Sequence, residues 1–255
     1  MSSVNKITLF VQCLVDGLYP EVGEAMLTLF HRLDIQVNCP VDQTCCGQPA
    51  FNAGHRKAAR IAAKHFIEIF EDAEWIVCPS GSCVHMVTHH YPDLFEDDIV
   101  WFERAKKVGQ RTFELSQFLV DILKIEDVGA SYKGKITYHD SCHLLRGLGV
   151  SEQPRRLIQS LKQAEFVEMN DLDRCCGFGG TFSIKYPDIS TAMVDDKIRN
   201  IIESGADTVT GCDISCLMNI QGRLSRMESP IKVLHIAQLL AGNRSLLNVI
   251  RFKTE

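Results

Sequence analysis

The chain has 255 residues, of which 45% are hydrophobic and 23% are charged, and its formal net charge is −5. This composition is typical of a globular protein, and the length suffices for one large domain or two small ones. The negative charge argues against a nucleic-acid surface, which needs a basic stripe, and no apolar run reaches the length of a membrane-spanning helix. The first residues lead directly into a strand pattern without the features of a signal peptide, so we expect a cytoplasmic protein without a transmembrane segment.

The first half of the chain predicts three strands that alternate with helices. The strands lie at 7–13, 35–37 and 75–77, the longest helix is predicted over Arg56–Phe70, and a helix at 114–119 closes this half. A cysteine ends the first strand, a vicinal pair before a glycine follows the second, and a single cysteine follows the third. These residues are Cys13, Cys45, Cys46 and Cys83.

The second half repeats this order of signals at an offset of about 130 residues. Strands are predicted at 136–142, 165–167 and 208–210, a helix over 189–204, and a closing helix at 235–240. The matching cysteines are Cys142, Cys175, Cys176 and Cys216. The closing helices are offset by fewer residues than the cysteines, which indicates an insertion in the first half, and we place it at 92–110.

Alternating strands and helices in each half predict an α/β fold of two tandem, pseudo-symmetric lobes. Each lobe is expected to contain a small parallel sheet with helices on both faces. We place the first domain at residues 1–125 and the second at 134–255. Loops at the carboxyl ends of parallel strands share one edge of a sheet, so the four cysteines of each half are expected to converge there.

Eleven cysteines are many for a chain without an export signal. In a reducing compartment they do not persist as disulfides, and an odd number cannot all pair. A disulfide between adjacent cysteines is strained, because neighbouring side chains point to opposite sides of an extended chain. Metal binding or redox chemistry is therefore the leading class of function.

Four thiolates from three loops suit either tetrahedral zinc or an iron–sulfur cluster. Zinc sites favour paired cysteines separated by two to four residues, and two adjacent thiolates crowd one small ion. A multi-iron cluster accepts neighbouring sulfurs on different irons, so the vicinal pairs favour iron–sulfur. Zinc, and cysteines that coordinate nothing, are the alternatives.

Several cysteines and histidines fall outside the repeated set. Cys39 has no counterpart and is expected to pack in the core. His139 and His143 flank Cys142, where they fit a strand end and a helix start; the alternative is that a histidine near a cluster relays protons. His85 and His89 share one helix face without a third ligand, so we expect a solvated face.

Each half resembles the CCG cysteine-rich domain, whose pattern is a Cys, a Cys-Cys-Gly and a further Cys, separated by two spacers of similar length. The runs that carry the resemblance include CCGQPAFNAG and PSGSC in the first half, and SCHLLRGLGV, CCGFGGTFSIK and CLMNIQGRL in the second. Domains of this family occur in heterodisulfide reductase, in the iron–sulfur subunit of glycolate oxidase and in anaerobic glycerol-3-phosphate dehydrogenase. With two such halves and no added ferredoxin module, the chain is most similar to the lactate-utilisation branch of the family.

The resemblance implies a cytoplasmic iron–sulfur electron carrier. Such a carrier is an oxidoreductase component that works with ferredoxin-type and accessory subunits to oxidise L-lactate to pyruvate. It implies 4Fe-4S clusters, one or two per chain, on the eight matched cysteines. In heterodisulfide reductase the clusters are non-cubane and use five cysteines, the last two in a C-x-x-C. Here four residues separate Cys78 from Cys83 and three separate Cys212 from Cys216. Cys78 and Cys212 are therefore the candidate fifth ligands, and a four-thiolate cubane cluster or zinc in one lobe stays open.

Two other functions stay open on the residues alone. One is a zinc-stabilised assembly or scaffold subunit without a redox role. The other is a disulfide reductase component.

Overall fold

The computed structural model describes residues 4–242. The outer ends of the two predicted domains, residues 1–3 and 243–255, lie outside this described part of the chain. Among residues 4–242, every helix is too short or too polar to cross a bilayer.

Two four-stranded sheets, both parallel throughout, organise the chain. In the first sheet the order is β2-β1-β3-β4, and in the second it is β6-β5-β7-β8. The strands are β1 (Lys6–Leu9), β2 (Gln36–Asn38), β3 (Ile76–Cys78), β4 (Thr112–Glu114), β5 (Ser131–His139), β6 (Lys162–Phe166), β7 (Thr208–Gly211) and β8 (Lys232–His235). The identical order confirms the predicted pair of pseudo-symmetric α/β lobes.

Helices follow nearly every strand. Those of the first lobe are α1 (Cys13–Leu18), α2 (Pro20–Arg32), α3 (Gln48–Asn52), α4 (Arg56–Phe70), α5 (Gly81–His85), α6 (Tyr91–Leu94), α7 (Ile99–Gly109) and α8 (Leu115–Gln117). Those of the second lobe are α9 (Glu152–Gln159), α10 (Thr181–Lys185), α11 (Pro187–Glu203), α12 (Ile214–Arg226) and α13 (Ile236–Ala241). Short π-helical turns lie at Met86–His90, Phe118–Ile122 and His143–Gly147.

The central strand β3 shows why each sheet is covered on both faces. Successive side chains of a strand point to opposite faces, and all three residues of β3 are buried. Ile76 and Cys78 enter one hydrophobic core, whereas Val77 enters another. A strand buried on both sides is typical of a parallel sheet between helical layers.

Helix α4 forms where the sequence predicts it, over Arg56–Phe70. Its buried residues recur at three- and four-residue spacing, which gives the helix one apolar face. Burial of a large apolar side chain such as Phe66 or Phe70 contributes about 2 kcal/mol each. The small residues Ala59 and Ala62 let the helix lie close to the cysteine loop, since a β carbon added to Gly47 would lie 3.3 Å from the carbonyl oxygen of Ala59 and 3.0 Å from the β carbon of Ala62.

The first strand of each half ends earlier than the sequence pattern predicts: β1 ends at Leu9 and β5 at His139, so Cys13 and Cys142 follow these strands instead of ending them. The sequence pattern located three strands in each half and missed β4 and β8, which are three and four residues long and run directly into the closing helices. Strands this short show too few alternations to be recognised. The predicted insertion at 92–110 is real, and it forms α7 before β4.

The two lobes pack against each other through equivalent elements. α2 of the first lobe contacts α13 of the second, and α8, the counterpart of α13, contacts α9, the counterpart of α2. One hydrophobic core, which includes Leu29, Phe118 and Leu239, crosses the junction. Ser80 and Asp213, each three residues before the last matched cysteine of its lobe, form an antiparallel bridge. This reciprocal packing indicates a pseudo-two-fold axis between the lobes.

Candidate metal centre

The eight matched cysteines line one cavity. The cavity has a volume of about 210 Å³, and residues of both lobes form its walls. The cysteines reach it because they follow the carboxyl ends of parallel strands, which share an edge of each sheet. The lining cysteines are Cys13, Cys45, Cys46, Cys83, Cys142, Cys175, Cys176 and Cys216.

Glycines hold the two vicinal cysteine pairs in tight loops. Gly47 and Gly177 have φ values of +84° and +81°, a backbone region in which other residues are strained. A β carbon added to Gly177 would lie 2.6 Å from the carbonyl oxygen of Ser190. In each lobe the glycine N–H donates to the sulfur two residues earlier, 3.4 Å away, on Cys45 or Cys175. The Cys-Cys-Gly motif therefore builds the same loop twice.

The four thiols of the first lobe form a continuous series of contacts. Cys13 donates to Cys45, Cys45 contacts Cys46, and the Sγ atoms of Cys46 and Cys83 are 3.5 Å apart. The bond from Cys13 lowers the pKa of Cys45 to about 3, and the bond from Cys46 lowers the pKa of Cys83 to about 5. Hydrogen bonding to Cys45 raises the pKa of both Cys13 and Cys46. Cys45 and Cys83 are thus the two cysteines of this lobe whose pKa is lowered towards the thiolate, the form that binds metals.

The second lobe repeats this arrangement. Cys142 donates to Cys175, which contacts Cys176, and Cys176 contacts Cys216. The bond from Cys142 lowers the pKa of Cys175 to about 2, while bonding to Cys175 raises the pKa of Cys142 and of Cys176. Both vicinal pairs thus combine a cysteine of lowered pKa with one of raised pKa that donates to it.

In each lobe, a side chain from the helical segment after the third strand forms a hydrogen bond with the second cysteine of the vicinal pair. The buried hydroxyl of Tyr91 donates to the carbonyl oxygen of Cys46 at 2.9 Å. In the second lobe the amide of Asn219 donates to the carbonyl oxygen of Cys176 at 2.8 Å. These bonds satisfy carbonyl groups that the tight loops leave without a backbone partner.

The buried carboxylate of Asp213 joins the lobes beside the cavity. Its Oδ1 accepts bonds from the hydroxyls of Ser80 at 2.8 Å and Ser82 at 2.7 Å. Its Oδ2 accepts from the hydroxyl of Ser141 at 2.8 Å and from the backbone N–H of Ser82 at 3.1 Å. Because these serines adjoin matched cysteines of both lobes, this network fixes one sulfur set relative to the other.

The three remaining cysteines do not line the cavity. Cys78 is buried at the end of β3 and contacts the thiol of Cys83. Cys212 accepts a hydrogen bond from the hydroxyl of Tyr138 at 3.3 Å. Of the two candidate fifth ligands, Cys78 is thus the one that touches a matched cysteine. Cys39 is exposed, so the expectation that it packs in the core is wrong.

His139, assigned from the sequence to a strand end, does end β5, but its side chain also joins the second set of sulfurs. Its imidazole forms a group with Cys176 and Cys216 in which the ligand atoms all lie within 4.8 Å of one another. The residue is 1% exposed, and neither ring nitrogen has a hydrogen-bond partner. Sequence reasoning missed this residue as a candidate ligand.

The histidines of the first lobe differ from the solvated face that the sequence predicts. His89 is exposed as expected, but His85 is half-buried. The ring of His85 stacks on that of His89 at 4.6 Å and packs 5.3 Å from that of His143 in the second lobe. This contact between the lobes could not be inferred from helix spacing alone.

The donor chemistry of the cavity fits a metal centre in each lobe. Four cysteine sulfurs from three loops are the usual ligand set of iron–sulfur clusters and of structural zinc. Thiolates favour these soft or borderline metals over magnesium and calcium, which require oxygen ligands.

A model of the CCG cysteine-rich domain matches the chain twice, over residues 7–88 and 136–221. Curated relatives of the chain carry the name Lactate utilization protein A. The protein of Bacillus cytotoxicus is 51% identical over 92% of this chain and 98% of its own length. That of an Exiguobacterium species is 51% identical over 92% of this chain and 96% of its own. A relative from Bacillus mycoides, Lactate utilization protein A 2, is 51% identical over 92% and 98% of the two chains.

The two matched segments contain all eight cysteines of the cavity and, together, cover most of the two sheets. The relatives match over nearly their whole length, so the likeness extends to the arrangement of both lobes. The chain belongs to the CCG cysteine-rich domain family, among the relatives named lactate utilization protein A.

Proposed function

We propose that the chain is an iron–sulfur electron-transfer subunit of a multi-protein system that oxidises L-lactate to pyruvate. The observation that carries this proposal is the convergence of eight cysteines, four from each lobe, on one cavity. The names of the relatives supply the link to lactate utilisation. In this proposal the chain is an oxidoreductase component that is inactive without its partners, and it works in the cytoplasm.

Iron–sulfur clusters, when bound, would supply one-electron acceptance and donation. The eight cysteines would hold them, with Cys13, Cys45, Cys46 and Cys83 in the first lobe and Cys142, Cys175, Cys176 and Cys216 in the second. The glycine N–H groups at Gly47 and Gly177 already donate to cysteine sulfur. Such bonds neutralise part of the negative charge on sulfur and raise a reduction potential.

An electron relay requires centres that lie close together. Both sets of sulfurs line the same space of about 210 Å³, so two bound centres would be neighbours within one protein. The Asp213 network and the common hydrophobic core would keep their separation constant. Electron movement needs no acid, base or nucleophile from the chain, which agrees with a site built from sulfur ligands and backbone donors.

The partners we propose are ferredoxin-type iron–sulfur and accessory subunits of the same system. Electrons would enter from a partner that acts on lactate, pass through the two lobes and leave to another subunit. A nucleic-acid partner is not part of this proposal, since the net charge of −5 gives no basic surface.

A zinc-stabilised scaffold is the second candidate, and one observation favours it. His139, Cys176 and Cys216 combine nitrogen and sulfur donors within 4.8 Å, and cysteine with histidine is a frequent zinc ligand set. In this alternative, zinc would hold the second lobe without a redox role.

Elemental analysis of the anaerobically purified full chain tests the proposal. We expect several iron atoms per chain, acid-labile sulfide and a broad absorbance near 400 nm. Cys46→Ser and Cys176→Ser are each expected to lower iron and sulfide by the content of one lobe. Cys39→Ser is the matched control, because this cysteine is exposed and outside the cavity lining. A chain that holds zinc without sulfide, or that keeps its iron in both lobe variants, contradicts the proposal.

A further inference from the structure

The two lobes differ in the residue three positions before their first matched cysteine. Phe10 stands three residues before Cys13, and His139 stands three residues before Cys142. The preceding residues, Leu9 and Tyr138, pair with the central strand of their own sheet at equivalent positions. Phe10 and His139 are therefore structural counterparts.

In the first lobe this position is apolar. Phe10 is completely buried and packs edge-on against Phe66, with ring centroids 4.9 Å apart, and against Phe70 at 5.6 Å. Such aromatic packing offers no ligand atom to the sulfur set of the first lobe.

In the second lobe the counterpart is a histidine without polar partners. His139 is 1% exposed, and both of its ring nitrogens are buried without a hydrogen bond. Leaving a buried polar group unsatisfied costs about 1–3 kcal/mol, so such groups call for an explanation. The atoms beside the ring are the sulfurs of Cys176 and Cys216.

We propose that a ring nitrogen of His139 is a ligand of the second-lobe metal centre. That centre then has nitrogen and sulfur ligands, whereas the first-lobe centre has sulfur ligands alone. This inference rests on the proposed function, since it requires a metal centre in the second lobe. A metal would satisfy the nitrogen that the protein leaves without a partner. Histidine in place of cysteine raises the potential of an iron–sulfur centre.

A second difference between the lobes supports this inference. Ala62 faces the motif glycine of the first lobe, and Met193 faces that of the second. Four residues later on these helices stand Phe66 and Lys197. The aromatic pair of the first lobe is thus replaced in the second by two basic residues, His139 and Lys197.

Lys197 is fully buried, and its ammonium group is held in place. It donates to the carbonyl oxygens of Asp171 and Leu172, both at 3.1 Å. The second lobe thus buries a fixed cation where the first lobe buries an aromatic ring.

His143 is the other second-lobe histidine beside a matched cysteine. Its Nδ1 lies 3.7 Å from the sulfur of Cys142, but the residue is partly exposed and its ring packs against His85 of the first lobe. Unlike His139, it has neighbours that account for its position. It therefore provides a control for the test.

Pulsed electron paramagnetic resonance tests the inference on the full chain, purified anaerobically after growth with histidine labelled with ¹⁵N in the imidazole. A Cys46→Ser background removes the first-lobe centre, so the signal of the chemically reduced protein comes from the second lobe. We expect ¹⁵N hyperfine coupling from a directly bound imidazole. The coupling is expected to persist in His143→Phe and to disappear in His139→Phe. The second variant carries phenylalanine at this position, as the first lobe does at Phe10.

If His139→Phe does not fold, the ¹⁵N coupling measured on the chain that keeps His139 is sufficient to test the inference. Iron in the second lobe without imidazole coupling, or coupling that survives His139→Phe, overturns the inference and leaves the proposed function standing. A chain that binds no iron overturns the proposed function, and the inference falls with it.

Discussion

Replacement of Gly177 by alanine should destabilise the second lobe through two separate effects. The residue has a φ of +81°, which L residues with a β carbon adopt only under strain. The new β carbon would also lie 2.6 Å from the carbonyl oxygen of Ser190 and 3.1 Å from the β carbon of Met193. Both neighbours belong to α11, so the helix or the cysteine loop has to move.

The backbone strain and the close contact each contribute a separate loss in the free energy of unfolding. A left-handed backbone conformation costs a non-glycine residue about 1–2 kcal/mol. Forcing an extra carbon into a packed contact costs about 1–3 kcal/mol more. We therefore expect Gly177→Ala to lower the free energy of unfolding by about 2–5 kcal/mol, the sum of these two ranges.

Gly205 provides the matched control, because it lies just beyond the other end of α11. Its φ is +70°, but an added β carbon would meet no atom within 4 Å. Gly205→Ala should thus carry the conformational cost alone, about 1–2 kcal/mol. Gly47→Ala, with its nearest contact at 3.0 Å to the β carbon of Ala62, should be intermediate.

Urea unfolding of the metal-free variants, followed by far-ultraviolet circular dichroism, measures these differences. The expected order of destabilisation is Gly177→Ala, then Gly47→Ala, then Gly205→Ala. In the metal-loaded protein, Gly177→Ala should also lower the metal content of the second lobe, because the shifted loop carries Cys175 and Cys176. Equal losses for Gly177→Ala and Gly205→Ala would refute the close-contact reasoning.

Three further predictions use other parts of the structure. Arg155 is buried and donates hydrogen bonds to both Asp140 and Glu168, so Arg155→Lys should lower the free energy of unfolding in urea by about 2–4 kcal/mol. Arg156 forms an exposed ion pair, so Arg156→Lys should lower it by less than about 1 kcal/mol. Similar losses for the two variants would contradict this reasoning. Burial raises the pKa of Glu114 from its ordinary 4.5 to about 7. Between these two pH values the folded state keeps a proton that the unfolded state releases. The free energy of unfolding should therefore fall by about 3 kcal/mol as the pH rises from 4.5 to about 7. Glu114→Gln should remove that fall, and an unchanged pH profile would show that another group causes it. Cys212→Ser should leave the metal content unchanged, because the Cys212 sulfur lies outside the cavity lining and contacts the hydroxyl of Tyr138 rather than a matched cysteine, and a loss of metal would make it a ligand.

The repeated cysteine pattern was a sufficient guide to the fold class. Cysteines that follow successive strands must gather at one edge of a parallel sheet, so the convergence of Cys13, Cys45 and Cys83 follows from topology. Helix α4 was also predictable, since its apolar spacing is strong. In contrast, the sharing of one cavity by both sulfur sets depends on how the lobes pack, which local patterns do not encode.

His139 shows a different limit of sequence reasoning. A histidine at a strand end resembles an ordinary boundary residue, and its environment depends on α11, which supplies Lys197 from 58 positions further along the chain. Comparing the two halves residue by residue provides the one available signal, because the counterpart of His139 is Phe10. A polar residue at a position that is apolar in the other repeat marks a place where the lobes differ in chemistry.

Anomalous diffraction at the iron edge, from crystals of the full chain prepared without oxygen, would test the central claim most directly. We predict two iron centres inside the shared cavity, one bonded to Cys13, Cys45, Cys46 and Cys83 and the other to Cys142, Cys175, Cys176 and Cys216. Iron bound away from these cysteines, or crystals of the anaerobically prepared chain without an iron signal in the cavity, would contradict the account.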